Sequence, residues 1–367
     1  MQSSSSSFST SASGASVPQT IFITGASGYV GAMLVDIFSQ RADVRQIIAV
    51  DKAPLPDFIK NAPKVHFISA NTADTSWQKK VAAYKPDVVI HTAWQIREMY
   101  GKKALQWKWN IKGSDAVFDF AFGTPSVKKL IHFSTVASYG AYPTNTIEHR
   151  FTEEEGFRKT DYLYAEEKRI SEEHLKQKAD AAHAQGSKVK VAIIRPASIT
   201  GPRGRYGRAT FGLQSALSGQ LKGSFIKKMI SLMLSFVPIT RKWCRQFIHE
   251  DEIADVVTRF TCGTLKMDYE AFNVCPPGPV VTGADMAAAV GKRAIIIHPW
   301  LIRIVFFLAW NGTLGRVPTS RGGWKSYSYP IAVDGSKLTR EYDYQYRWSS
   351  KEAFTKKEGR YAKLASQ

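Results

Sequence analysis

The chain has 367 residues, 44% of them hydrophobic and 22% charged, a balance that supports a packed core and excludes wholesale disorder. Its length calls for one large α/β unit with a smaller dependent lobe, or for two domains. The formal net charge is +19, and the three cysteines, Cys244, Cys262 and Cys275, form no close pair, which argues against a disulfide framework or a zinc motif.

Residues 1–18 carry serine at nine positions and no charge, so a disordered tail is expected there. Neither a basic start with an apolar run nor an arginine-rich leader is present, which points to the cytoplasm. Apolar, β-branched runs then recur at 20–24, 46–50, 65–68, 88–92, 129–133 and 189–194, with gaps long enough for helices. That alternation predicts an α/β fold with a doubly wound parallel sheet. A long helix is predicted over 162–184, capped by Thr160 or Asp161 and followed by Gly186. After Pro202 the pattern loosens into a smaller C-terminal lobe. There the polar residues of 224–237 recur at helical spacing and leave a broad apolar face. The run 300–310 follows Pro299, contains Arg303 as its one charge, and is too short to span a bilayer, which needs ~20 apolar residues.

The first predicted strand runs into Phe22-Ile-Thr-Gly-Ala-Ser-Gly-Tyr-Val-Gly31. Gly25, Gly28 and Gly31 suit a tight turn, close backbone approach to a pyrophosphate and packing of a helix on the sheet; the helix N-terminus attracts the phosphate charge. Ser27, Tyr29 and Val30 belong to the same turn. Asp51 ends the second strand 20 residues after Gly31, where a carboxylate accepts hydrogen bonds from a ribose and repels a 2′-phosphate. Such a site favours NAD over NADP, with Lys52 next door as the discordant residue.

Tyr164 and Lys168 stand four apart on the predicted helix, on one face. A phenol with a pKa near ~10 needs a neighbouring cation to act as a base. With 15 tyrosines one such pair is expected about once by chance, so the weight lies in the order of several motifs. These are the glycine turn, Val89-Ile-His-Thr-Ala93, Asn110-Ile-Lys-Gly113, Phe133-Ser-Thr-Val-Ala-Ser-Tyr-Gly140, the Tyr164/Lys168 pair, and Arg195-Pro196 with Gly201-Pro202. In this order they resemble the extended short-chain dehydrogenase/reductases, which include the NAD-dependent epimerase/dehydratase family and the 3β-hydroxysteroid dehydrogenases.

The resemblance implies a Rossmann-type NAD-binding unit at 19–200 that carries the catalytic groups. It leaves 201–367 mainly as a substrate lobe, with some segments returning to the first unit. It implies proton transfer by Tyr164, a grip on the nicotinamide ribose by Lys168, a hydrogen bond to the reacting oxygen from Thr135, and support of the proton relay by Asn110. Ala93 and Pro196 lie beside the cofactor, and a homodimer through the helices bearing Asn110 and Tyr164 is implied. The plain reading of Thr135 and Asn110 as capping or core polar groups stands beside this, and His91 is read as a packed strand-end residue.

Val136-Ala137 replaces the Asp-Glu of sugar 4,6-dehydratases, and Ser198 replaces an Asn common in nucleotide-sugar enzymes. Arg245, in Arg245-Gln-Phe-Ile-His-Glu-Asp251, matches an arginine that grips a diphosphate. Two acid-free stretches, 181–249 and 286–333, hold eighteen of the nineteen excess charges. One reading makes them a receptor for an anionic small molecule, a nucleotide-sugar, with Ser198, Arg203, Arg205 and Arg245 near it. The competing reading makes a hydroxysteroid or lipid-alcohol dehydrogenase that rests on an anionic membrane, because both apolar segments lie in these stretches. Burial of those segments in the core or a dimer is the third possibility. A non-catalytic dinucleotide sensor is a further class; nucleic-acid binding lacks any recognition motif.

Overall fold

A computed structural model describes residues 19–203, 236–289, 291 and 293–365. The serine-rich tail, Arg205 and 224–235 of the second predicted helix lie outside these residues.

Seven strands form one parallel sheet: β1 Gln19–Thr24, β2 Val44–Asp51, β3 Val65–Ser69, β4 Val88–His91, β5 Lys129–Phe133, β6 Lys190–Pro196 and β7 Tyr269–Val274. Their spatial order is β7-β6-β5-β4-β1-β2-β3. Each strand alternates its side chains between two cores, as the pleat demands. Ile21, Ile47, Ile90, Ile131 and Ile194 face helices Tyr29–Ser39 and Glu250–Cys262. Their neighbours Phe22, Ile48, Val89, Leu130 and Ile193 face helices Gly113–Gly123 and Leu163–Ala184. Except along the edge strand β3, where His66, Phe67 and Ser69 are exposed, both faces are largely buried, which is why the inner strands read as continuous apolar runs. Burying each large apolar side chain contributes roughly 1.5–3 kcal/mol.

The strand order reverses between β1 and β4, which opens a crevice at the carboxyl ends of the strands. The edge strand β7 comes from the C-terminal half of the chain and pairs with β6 from Tyr269↔Val191 to Val274↔Pro196. Small strand pairs complete the fold: Ser198–Thr200 with Phe247–His249, which contributes Ser198, Thr200 and Phe247 to the lining of the cavity there, and Phe236–Ile239 with Arg293–Ile296.

Two local expectations change and a third, a helix starting at Pro299, is met. Phe236 and Val237, read as the end of a helix, open a strand. The helix Leu163–Ala184 has Tyr162 at its cap position and no side-chain cap; Asp161 instead pairs with Lys325 at 2.9 Å, and Thr160 accepts from the Tyr162 N–H at 3.3 Å. The run at 300–310 is a helix, Pro299–Gly312, capped by the His298 side chain.

Candidate active site

The glycine turn is forced by backbone crowding. Gly25 has φ +70°, and a Cβ there would lie 2.5 Å from the Ala93 nitrogen, so the end of β4 runs directly against it. A Cβ on Gly31 would lie 2.0 Å from the Gly25 carbonyl oxygen, which fixes glycine at the first turn of the helix. Gly28 is the cap residue of Tyr29–Ser39, supplies no side-chain cap, and no acid occupies the first turn. The positive end of the helix dipole therefore meets no acid of the first turn, which fits a pyrophosphate. Gly25, Gly28, Tyr29, Val30 and Gly31 line the cavity above.

Ser27 and Asp51 stand behind the turn. The Asp51 carboxylate accepts the Ser27 N–H at 3.0 Å and the Ala53 N–H at 2.9 Å, while the Ser27 hydroxyl donates to the Ala53 carbonyl at 2.8 Å. These bonds hold a carboxylate beside the turn with lone pairs to spare for a ribose. Lys52 lies 3.6 Å over the Trp109 ring, a cation–π contact that occupies its charge.

The cavity, about 560 Å3, continues past Thr92 and Trp94 to Thr135, Tyr164 and Lys168. Lys168 is 3% exposed; its Nζ donates to the Phe133 carbonyl at the end of β5 and stands 3.6 Å over the Trp94 ring. Burial drives its pKa well below the usual lysine range, against the opposing pull of Glu172 and Glu167. The Tyr164 ring packs 5.9 Å from Tyr162. Thr135 accepts the Ala137 N–H at 3.2 Å, so the capping reading holds for its lone pair while its O–H proton is not spent in that bond.

Asn110 does not line the cavity. It sits in a π-helical turn, Lys108–Lys112, inside the helical stretch 103–123. Its Oδ1 accepts the Gln95 N–H at 2.7 Å, and its Nδ2 donates to the Gln95 carbonyl at 3.0 Å and to Glu167 at 2.7 Å. Asn110 thus clamps the loop that carries Trp94. Glu167 is fully buried, and burial raises its pKa against the bonds from Asn110 and Gln106. His91 is the packed residue expected, bonded to Thr24 at 2.7 Å and Ser114 at 2.8 Å. Burial lowers its pKa to about 3. His132 stacks on it at 5.4 Å.

The basic residues separate in space. Arg245 and Ser198 line the cavity, as does Pro196, and the Arg245 guanidinium stands 5.7 Å from the Tyr327 ring. Arg203 does not join them: its guanidinium donates to the Tyr29 carbonyl at 3.0 Å and packs over Phe58 at 4.8 Å. Arg195 is tied to buried Glu172 and to the Tyr139 hydroxyl. Sequence reasoning missed Trp94, Glu98, Tyr162 and Tyr327, which all border the cavity. Only Trp94, next to Ala93, had a motif beside it to draw attention.

The fold and this cavity define a dinucleotide-binding enzyme of the extended short-chain dehydrogenase/reductase type. The chain belongs to the NAD dependent epimerase/dehydratase family, whose profile matches residues 21–275, and NAD is its cofactor. It is 23% identical to the uncharacterized protein Rv0501 of Mycobacterium tuberculosis over 350 residues, covering 92% of this chain and 82% of that one. It is 29% identical to the UDP-glucose 4-epimerase of Mycolicibacterium smegmatis over 134 residues, 34% of this chain and 42% of that one. Among solved structures it is similar to WbmG of Bordetella bronchiseptica in complex with NAD and UDP, with TM-score 0.65, 19% identity and coverage of 94% and 92% of the two chains.

Proposed function

We propose that this chain uses NAD to oxidise or epimerise a secondary alcohol of a nucleotide-sugar, with Tyr164 as the proton-transferring group. The observation that carries the reading is that the glycine turn, Thr135, Tyr164, Lys168, Ser198 and Arg245 all border one cavity of about 560 Å3, within the range of small-molecule and cofactor sites. NAD, when bound, supplies the hydride acceptor and, in an epimerase, the hydride donor on return.

The chain's own residues handle the proton. Tyr164 accepts it from the substrate hydroxyl, and the Lys168 ammonium favours the phenolate that makes this possible. Thr135 donates its O–H to the reacting oxygen. Asn110 acts at one remove, as a positioning residue that fixes Gln95 and with it Trp94 beneath Lys168. Arg245 is the cation we assign to the substrate diphosphate. Arg203 stabilises the cofactor end of the crevice, and not the substrate end.

A second reading, a hydroxysteroid or lipid alcohol, is favoured by the apolar and aromatic wall of Met286, Phe306, Trp310, Tyr329 and Phe354. One panel decides between them. The full chain with NAD is offered UDP-sugars and hydroxysteroids while nicotinamide absorbance and sugar products are followed. Turnover of UDP-sugars is expected; turnover of hydroxysteroids alone overturns the reading.

A further inference from the structure

The helix Pro299–Gly312 has two apolar faces. Ile302, Phe306 and Trp310 are buried, spaced by four residues along one stripe, and Phe306 and Trp310 form part of the cavity wall. The opposite face is apolar as well and open to solvent: Trp300, Leu301, Ile304, Val305, Phe307 and Leu308 are all exposed, with Trp300 at 56%, Phe307 at 65% and Leu308 at 62%. Ile295 and Ile296, on the adjacent strand, are exposed too. A contiguous patch of this kind marks an interaction surface, since scattered exposed residues would need no explanation but a whole helix face does.

The charges of this stretch of chain point to what covers it. No Asp or Glu occurs from 286 to 333, and Arg293, Arg303, Arg316 and Arg321 are exposed there. Arg303 sits on the same helix, at the border between its buried and exposed faces. A second copy bound through a two-fold axis would set this patch against itself and bring this acid-free, basic stretch into the seam twice, with no carboxylate of the stretch to pair it, which like-charge crowding disfavours. An anionic surface has no such conflict. Among the described residues no helix is long and apolar enough to cross a membrane.

We infer that the outer face of Pro299–Gly312 docks on an anionic phospholipid bilayer, lying in the plane of the headgroups with its arginines on lipid phosphates. An apolar face rimmed by cations is the composition of an interfacial helix, and each arginine near such a surface adds about 1 kcal/mol. The same helix walls the cavity on its inner side, so docking brings the cavity to within about one helix diameter, ~10 Å, of the acyl chains. The inference does not depend on which alcohol is the substrate.

The test is co-flotation of the full-length protein with vesicles of phosphatidylglycerol mixed with phosphatidylcholine, or of phosphatidylcholine alone, at low and high salt. Binding to the mixed vesicles at low salt is expected, weakened by salt and absent from the neutral ones. Phe307→Asp with Leu308→Asp should weaken binding at least about tenfold. Arg303→Glu with Arg316→Glu should abolish the preference for anionic lipid. An unchanged NADH fluorescence titration shows that each variant is folded. No flotation at low salt overturns the inference, as does flotation that the Phe307/Leu308 variant leaves intact. A dimer that this variant dissociates, in a protein that does not float, overturns it in favour of a second copy.

Discussion

In the proposed reaction the chemistry rests on the Tyr164 hydroxyl, and Tyr164 borders the cavity together with Lys168 and Thr135. Removing the hydroxyl deletes the proton path while leaving the glycine turn intact. Tyr164→Phe is therefore expected to lower kcat by orders of magnitude with NAD affinity nearly unchanged; steady-state kinetics and an NADH fluorescence titration check both halves. Gly31 gives the complementary case. Its added methyl would meet the Gly25 carbonyl at 2.0 Å, a clash of a Cβ with backbone that no rotamer relieves. Gly31→Ala should weaken NAD binding by at least about tenfold and cost several kcal/mol of stability, since the helix must move off the turn. Unaltered NADH affinity in a folded variant would sink this account of the turn.

At the level of elements, the π-helical turn Lys108–Lys112 ties Asn110, outside the cavity, to the loop that carries Trp94. An extra residue in the turn rotates Asn110 toward Gln95, and π-turns often mark functional positions. The amide then satisfies both backbone groups of Gln95 and one oxygen of buried Glu167. Asn110→Ala leaves those groups buried without these partners, which should destabilise the protein by about 2–3 kcal/mol. Urea unfolding measures that loss. A positioning role adds a further signature, a fall in kcat with little change in KM, that a purely structural role would not produce.

Across the whole molecule, two neutral histidines in the sheet tie stability to pH. Burial holds His91 at about 3 and His132 well below its usual value, the latter also repelled by Lys168 and His91. Below an unfolded value near ~6.5 the denatured chain takes up protons that the native fold refuses, so stability falls as pH drops from that value toward about 3. Acidification from about pH 7.5 to 5.5 should cost roughly 1 kcal/mol for each histidine. Replacing His132 by Leu removes one share, and urea midpoints at the two pH values should draw together by that amount. An equal acid loss in variant and parent would refute it.

Local covalent geometry made much of this protein readable in advance. Six of the seven sheet strands follow from β-branched runs, the glycine turn from the spacing of Gly25, Gly28 and Gly31, and the shared face of Tyr164 and Lys168 from helical spacing. Each depends on residues a few positions apart. The seventh strand, Tyr269-Glu-Ala-Phe-Asn-Val274, was not legible, because its mixed composition becomes a strand only by pairing with β6. Nor could the sequence separate Arg245 from Arg203, which share one basic stretch. Tertiary contacts put the first in the cavity and the second against Tyr29. The helix at Pro299 was visible as an apolar run, yet which side it buries was decided by the cavity that Phe306 and Trp310 complete. Short-range sterics and hydrogen-bond spacing act within a few residues and are written in order along the chain, whereas partners a hundred residues apart are chosen by packing in three dimensions.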